Sequence, residues 1–377
     1  MSAQLLIGAD IVPTKSNVDL FVAGDVLSLV GEELLSRLQA ADFVSMNLEV
    51  PLTNRAAPIR KCGPCLIAPP ETAEGLQKIN PYFFTLANNH ILDQGAEGLR
   101  STMDVLREKR IAFAGAGENL EEASRPFVVQ IASCRIGFYC CAEHEFSIAG
   151  ERSPGANPYD PLESFDHVRR LKENCDYCVV LYHGGKECYR YPSPMLQRVF
   201  HKFADCGADL VIAQHTHCVG CMERYQGSTL VYGQGNFLFD DADNEYWKSS
   251  LLLQVDLNSK ELEFIPLVKK GERVREATGE EREKILSGFL TRSEEIKSPD
   301  FVEDRYARFA REMEHDYLFR FSGRLAKTFL VRVLNKLTSY RFLKLFYQDR
   351  YRASIENVLE CEAHRELAAK ALRGKQI

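Results

Sequence analysis

"VIAQHTHCVGC", residues 211 to 221, sets two chemistries side by side. Val211 to Ala213 are apolar, and Val211 and Ile212 are β-favouring, as a buried strand requires. His215 and His217 follow one residue apart, and Cys218 and Cys221 stand just beyond. An H-x-H pair on an extended segment puts both rings on one face. Alone, the stretch fits a mononuclear His/Cys zinc site, a redox pair, or one end of a larger metal centre. The ends of the other apolar runs separate these readings.

Those ends repeat the pattern. "LLIGAD" finishes in Asp10, and "DFVSMNLE" in Asn47 and Glu49. "YFFTLANNH" finishes in Asn88, Asn89 and His90, with Asp93 one turn further on. "CVVLYHGGKE" finishes in His183, with Glu187 behind it, and "TLVYGQGNF" in Asn236. Ligands of open α/β sheets bind outside the carboxyl ends of strands. Converging, these ends make one pocket rich in oxygen and nitrogen donors, which suits Zn, Mn or Fe better than Ca and needs no thiolate.

The surrounding chain reads as alternating strands and helices to about residue 270. Strands are expected at 4–9, 43–47, 82–86, 111–114, 127–132, 135–140, 178–182, 209–213, 229–232, 250–256 and 261–267. Helices are expected at 31–40, 71–79, 95–109, 163–174 and 194–206. This is an α/β or α+β layered fold. From "GERVREATGEEREKIL" onward the chain is charged and helix-forming. The division expected is a main domain over 1–270 and a helical extension over 271–377.

Bulk composition excludes some functions. A net charge of −6 without a basic excess argues against nucleic acid as a partner. The opening "MSAQLLIGAD" lacks the basic and long apolar regions of a signal peptide, and no apolar run is long enough to cross a membrane. A cytoplasmic location is expected. The 12 cysteines then read as thiols, including the C-x-x-C pairs Cys62/Cys65, Cys175/Cys178 and Cys218/Cys221. "CGPC" at 62–65 has the letters of a thioredoxin-type motif but lies in a Pro-rich loop.

The ordered set GxD, NLE-x-PLT, ANNH-x-x-D-x-G, H-x-G-x-E, H-x-H and YxxGNF, from about residue 4 to 268, resembles the CapA family. That family is named for poly-γ-glutamate capsule synthesis and is similar to the calcineurin-like metallophosphoesterases. The resemblance implies a four-layer αββα sandwich, with 271–377 outside it. The sequence departs from the family's pattern in three places. The first motif reads Gly8-Ala9-Asp10, with Asp25 of "FVAGD" as the alternative first ligand; His183-Gly184-Gly185 stands where HWG is usual; and Gln214 replaces a glycine.

The resemblance further implies two divalent ions (Mn, Fe or Zn). Asp10 and His217 would hold one, Asn89, His183 and His215 the other, and Glu49 would bridge them. Two such ions bind a phosphoester and stabilise in-line displacement. His90 would protonate the leaving oxygen, and Asp93 would orient its ring. Asn47, Asn88, Glu187 and Asn236 are candidates for supporting the ligands or touching substrate, as is His144 in the turn-rich stretch 143–161. Arg152 in the same stretch could also meet an anionic substrate; ordinary loop polarity explains these residues too.

The implied role is metal-dependent hydrolysis in bacterial capsule, poly-γ-glutamate or other cell-surface polymer synthesis, on an anionic or phosphorylated small molecule or polymer. A non-hydrolytic assembly or binding factor, and an amidase acting on γ-glutamyl or peptide bonds, stand beside it. Lastly, 317–352 carries nine Lys/Arg and one acidic residue, Asp349, with apolar residues at helical spacing. Such a segment either lies on an anionic membrane surface or packs its apolar face at home.

Overall fold

The two-residue period of each strand sorts its side chains between two cores. In β1 (Gln4–Ile11), Leu5 and Ile7 face one side and Leu6 the other. In β9 (Tyr177–His183), Val179 and Leu181 face the first of these cores, while Cys178, Val180 and Tyr182 face a third. The computed structural model describes residues 3–80, 82–239, 244–323, 327–338 and 341–373.

One sheet runs β16 (Arg273–Glu276), β15 (Leu262–Lys270), β14 (Ser249–Asp256), β1, β2 (Phe43–Leu48), β3 (Phe83–Thr85) and β4 (Ala112–Ala114). The short β13 (Asn236–Leu238) pairs with β1 in parallel at Asp10 and Ile11, beyond the reach of β14. The other sheet runs β11 (Met222–Tyr225), β12 (Ser228–Val231), β10 (Leu210–Gln214), β9, β7 (Cys134–Ala142) and β6 (Phe127–Ile131). Strands β5 (Ala116–Gly117) and β8 (Gly155–Ala156) form a small separate ladder.

Phe43, Phe83, Phe127 and Phe138 stack between the sheets, with the Phe83 and Phe127 centroids 4.6 Å apart. Helices α1 (Val18–Ala23), α2 (Val26–Ala40), α3 (Ala73–Ile79) and α4 (Gly95–Glu108) cover the outer face of the first sheet through Phe21, Leu29, Leu76 and Leu99. After the one-turn α5 (Leu120–Ala123), helices α6 (Ser164–Lys172) and α7 (Pro194–Asp205) cover the second through Val168, Phe200 and Phe203. This is the αββα sandwich that the resemblance implied.

Local rules explain the boundaries. Ser193 accepts from the Leu196 N–H and Pro194 opens the first turn, so α7 starts where the sequence says. The helix expected over 31–40 instead begins at Val26, because Asp25 caps it and Gly31 (φ 72°) takes the break inside it. Helices α1 and α5 and strands β5, β8, β11, β13 and β16 were not expected. Each is six residues or shorter, too short for a period to register.

The expected boundary at 270 falls inside the sandwich. Strand β16 pairs with β15, and helix α8 (Gly279–Glu295) buries Phe289 in the inter-sheet core, where it meets Phe264 at 4.8 Å. Compact units run Met1–Val302 and Glu303–Ile377. The charged look of the stretch just after residue 270 misleads because only one narrow stripe of α8 is buried.

The second unit is helical. After α9 (Phe301–Phe321), which begins at the end of the first unit, come α10 (Phe329–Leu337), α11 (Arg341–Lys344), α12 (Asp349–Glu360) and α13 (Glu362–Arg373). Leu318, Val331 and Leu343 are buried, and Tyr347 Oη donates to Leu318 O (3.0 Å). Positions 324–326 and 339–340 of the expected basic segment lie outside the described residues. Among the described residues no helix is long and apolar enough to cross a membrane.

Candidate metal centre

The carboxyl ends of strands from both sheets meet at one place. The first sheet supplies acids and amides: Asp10 near the end of β1, Asn47 in β2 with Glu49 just after it, and Asn88 and Asn89 after β3. The second supplies imidazoles: His183 as the last residue of β9, and His215 and His217 after β10. All eight are buried.

Glu49 sits at the centre. Its side chain is fully buried, and neither carboxylate oxygen has a hydrogen-bond partner among the described residues. His183 Nε2 lies 3.3 Å from Glu49 Oε1 and 3.1 Å from Asn89 Oδ1. Donor atoms on one metal with bonds of about 2.1 Å stand about 3.0–3.4 Å apart. Glu49, His215 and His217 also offer ligand atoms within 4.8 Å of one another. His215 Nδ1 is a further buried atom without a partner. Orphaned buried polar atoms are costly, and a cation would satisfy them together. The residues therefore fit a divalent metal.

Electrostatics point the same way. Burial pushes the Glu49 carboxyl up to about 7, against the pull of His90. Burial, with help from neighbouring Glu49, pushes Asp10 up to about 6. Burial pushes His183 down to about 4, and His215 and His217 are also held below the usual imidazole range by burial. Two carboxyls and three imidazoles held toward their neutral forms in a buried pocket form a site short of positive charge.

Amides hold these groups in place. Asn47 Nδ2 donates to Asp10 Oδ1 (2.7 Å) and lies 3.2 Å from His183 Nδ1. Asn88 Nδ2 donates to Asn47 Oδ1 (3.0 Å), and Asn88 Oδ1 accepts from the His90 N–H (3.1 Å). Asp10 Oδ2 accepts from the His215 N–H (3.2 Å). His217 Nδ1 is 2.7 Å from Asn236 Oδ1, which can only accept, so Nε2 is left for a ligand.

Several expectations need correction. The H-x-H pair is not on an extended segment: β10 ends at Gln214, and His215 (φ 80°) and His217 (φ 53°) take left-handed backbone in a turn. Such conformations cost about 1–3 kcal/mol each and gather at functional sites. Asn236 does not end the strand of "TLVYGQGNF"; it opens β13, after the chain has crossed to the other sheet. Asp25 is exposed as a helix cap and is not at the site. Asp93 closes a turn on His90, not a helical one; the helix starts at Gly95. Glu187 is exposed, 3.9 Å from Lys186, and adds only its field to Glu49 and His217. His144 and Arg152 are exposed. Cys218 and Cys221 are buried, Cys221 in the apolar cluster of the second sheet's outer face, with their thiols pushed up by burial, Cys218 to about 12, and neither shares the ligand cluster.

Four residues were missed from sequence. Lys61 Nζ lies 2.6 Å from Asp93 Oδ1 and 3.3 Å from His90 Nδ1, and donates to Asn89 O (3.3 Å). Asp93 Oδ2 is 2.5 Å from His90 Nδ1, and His90 Nε2 points at Glu49 Oε1 from 4.0 Å. Glu145 Oε2 accepts from Asn89 Nδ2 (2.7 Å), which turns Asn89 Oδ1 toward His183. Trp247 packs on His217 at 4.5 Å, with Phe239 edge-on to that imidazole at 5.8 Å. The single tryptophan was the only signal available for this wall.

Residues 19–241 match the family described as bacterial capsule synthesis protein PGA_cap. That span takes in the site from Glu49 to Asn236 and leaves Asp10 outside. The sequence is 28% identical over 209 residues to the PGA biosynthesis protein CapA of Bacillus subtilis, covering 54% of each chain. It is 28% identical over 242 residues to the capsule biosynthesis protein CapA of Bacillus anthracis, covering 61% of this chain and 59% of that one. The chain thus spans little more than half the length of these relatives. Among solved structures, a phosphatase from Mycoplasma pneumoniae aligns at 15% identity with a TM-score of 0.45, covering 76% of this chain and 97% of that one.

Proposed function

The chain belongs to the bacterial capsule synthesis protein family PGA_cap, and from that premise we propose that it is a metal-dependent phosphoester hydrolase serving capsule or related surface-polymer synthesis. The observation that carries this reading is Glu49: a buried carboxylate with both oxygens unpartnered, facing His183 and clustered with His215 and His217.

Asp10 and His217 would hold one divalent ion, and Asn89, His183 and His215 a second, with Glu49 between them. Such ions, when bound, activate water and neutralise charge on phosphoryl oxygens. The chain's own residues supply the rest. Asn47, Asn88 and Asn236 fix the ligand groups, so no reorganisation is needed at the moment of reaction. His90 is aimed by Asp93 through Nδ1, which presents Nε2 on the Glu49 side. From there Nε2–H donates a proton to the leaving oxygen. Lys61 fixes Asp93 from its other oxygen.

A substrate panel in the presence of Mn, Fe or Zn tests the reading. The expected result is metal-dependent turnover of a phosphomonoester or phosphodiester, abolished in Glu49→Gln. Cleavage of γ-glutamyl bonds alone would make the protein an amidase. Tight binding of an anionic polymer without turnover of any substrate would make it an assembly factor.

A further inference from the structure

We propose that the outward face of α10 docks on an anionic lipid surface. The helix has two sides. Val331 and Asn335 are buried within the second unit, and Asn335 Oδ1 accepts from the Leu343 N–H (2.9 Å). Opposite them, Phe329 is 83% exposed, Leu330 66%, Val333 37% and Leu337 76%. At about 100° per residue these four share one arc of roughly 100°. Arg332 and Lys336 border that arc on the Phe329 side, and neither is drawn into an ion pair among the described residues. Leu345 (69% exposed) and Phe346 (49%) are also exposed just beyond α11.

Among the described residues this apolar face is therefore exposed, and its charge selects the occupant. The stretch 317–352 holds nine Lys/Arg and one acidic residue in a chain of net charge −6. A second copy meeting face to face would set Arg332 and Lys336 against themselves, because a two-fold interface repeats its own charges. A nine-residue helix is about 14 Å long, too short to span a bilayer. Apolar side chains level with a cationic border are the geometry of a helix lying in the headgroup plane. Helices α12 and α13 also expose leucines, but glutamates are interspersed with them, so the arc on α10 is the one suited to negative headgroups. Docking there would hold the catalytic unit at the membrane without a spanning segment, a location independent of what that unit hydrolyses.

The test uses the full chain and flotation with phosphatidylcholine vesicles, with or without phosphatidylglycerol. Wild type should partition at least about tenfold better onto the anionic vesicles, and high salt should erase the difference. Arg332→Glu with Lys336→Glu should lose that preference. Phe329→Ser with Leu337→Ser should lose binding to both vesicle types, with unchanged circular dichroism and metal content because both side chains are exposed. Equal partitioning onto the two vesicles, or unaltered binding by both variants, would overturn the proposal. Concentration-dependent dimerisation abolished by the serine variant, with no vesicle binding, would assign the face to a second copy instead.

Discussion

Lys61 Nζ lies 2.6 Å from Asp93 Oδ1, with the lysine side chain 2% exposed and the carboxylate fully buried. The Leu66 N–H donates to Asp93 Oδ2 (2.6 Å), so a clasp from either side of the "CGPC" turn holds the aspartate that holds His90. Removing one partner of a buried pair leaves a charge uncompensated, at about 3–5 kcal/mol. Lys61→Met should therefore lower the denaturation midpoint markedly. The double variant Lys61→Met/Asp93→Asn should lose less than the sum of the singles. Additive losses in a double-mutant cycle would show that the contact is not coupled.

His90→Asn tests the proton donor. Metal content should stay at the wild-type level, because His90 is not among the ligand groups. Turnover of a phosphoester with a poor leaving group should fall about 10²–10⁴-fold. With nitrophenolate as leaving group the loss should be much smaller, since little protonation is needed. Equal losses on both substrates would remove His90 from that role.

The shifted acids set a pH dependence. Glu49 at about 7 and Asp10 at about 6 hold protons more tightly folded than unfolded, where both titrate near about 4. In the metal-free protein their contribution is full below about pH 4 and is lost as pH rises through 6 to 7. His183 runs the other way. It is buried neutral at about 4, so its contribution is present above its unfolded value of about 6.5 and is lost as pH falls toward 4. A cation needing both carboxylates ionised must displace their protons below about pH 7. Divalent-metal affinity should rise between about pH 5 and 7 and then level off, with proton release visible by calorimetry in buffers of different ionisation enthalpy. A flat affinity across that window would contradict the ligand assignment.

Phe289 tests the reach of the sandwich beyond residue 270. Its ring is fully buried between the sheets, and on the same helix Arg292 donates to Gly220 O (2.8 Å) and Val219 O (3.0 Å), just past the histidine turn. Phe289→Ala should cost about 3–5 kcal/mol by chemical denaturation. A change under about 1 kcal/mol would mean that α8 is peripheral.

The convergence of Asp10, Glu49, Asn89, His183, His215 and His217 was legible because each ends or follows an apolar run, and strand ends meet at sheet edges. The sheet core was legible for the same reason: long apolar periods at 4–11, 177–183 and 249–256 leave little choice. Lys61 was not, since it stands in an aperiodic loop 32 positions before its partner Asp93. Strand β13 was hidden because Asn236–Leu238 joins β1 only after a sheet-to-sheet crossing, which no local pattern records. The left-handed backbone at His215 and His217 had no glycine to announce it. Helix α8 looked solvated because its one buried stripe rests mainly on Phe289 and Ser293.

Metal stoichiometry tests the central claim most directly. Elemental analysis after reconstitution with Mn, Fe or Zn should give two divalent ions per folded wild-type chain. Glu49→Gln and His215→Ala should each lose at least one ion while keeping the wild-type circular dichroism, and Cys218→Ser should lose none. Full metal content in both the Glu49 and His215 variants, or a folded wild-type chain that takes up no divalent ion, would contradict the account.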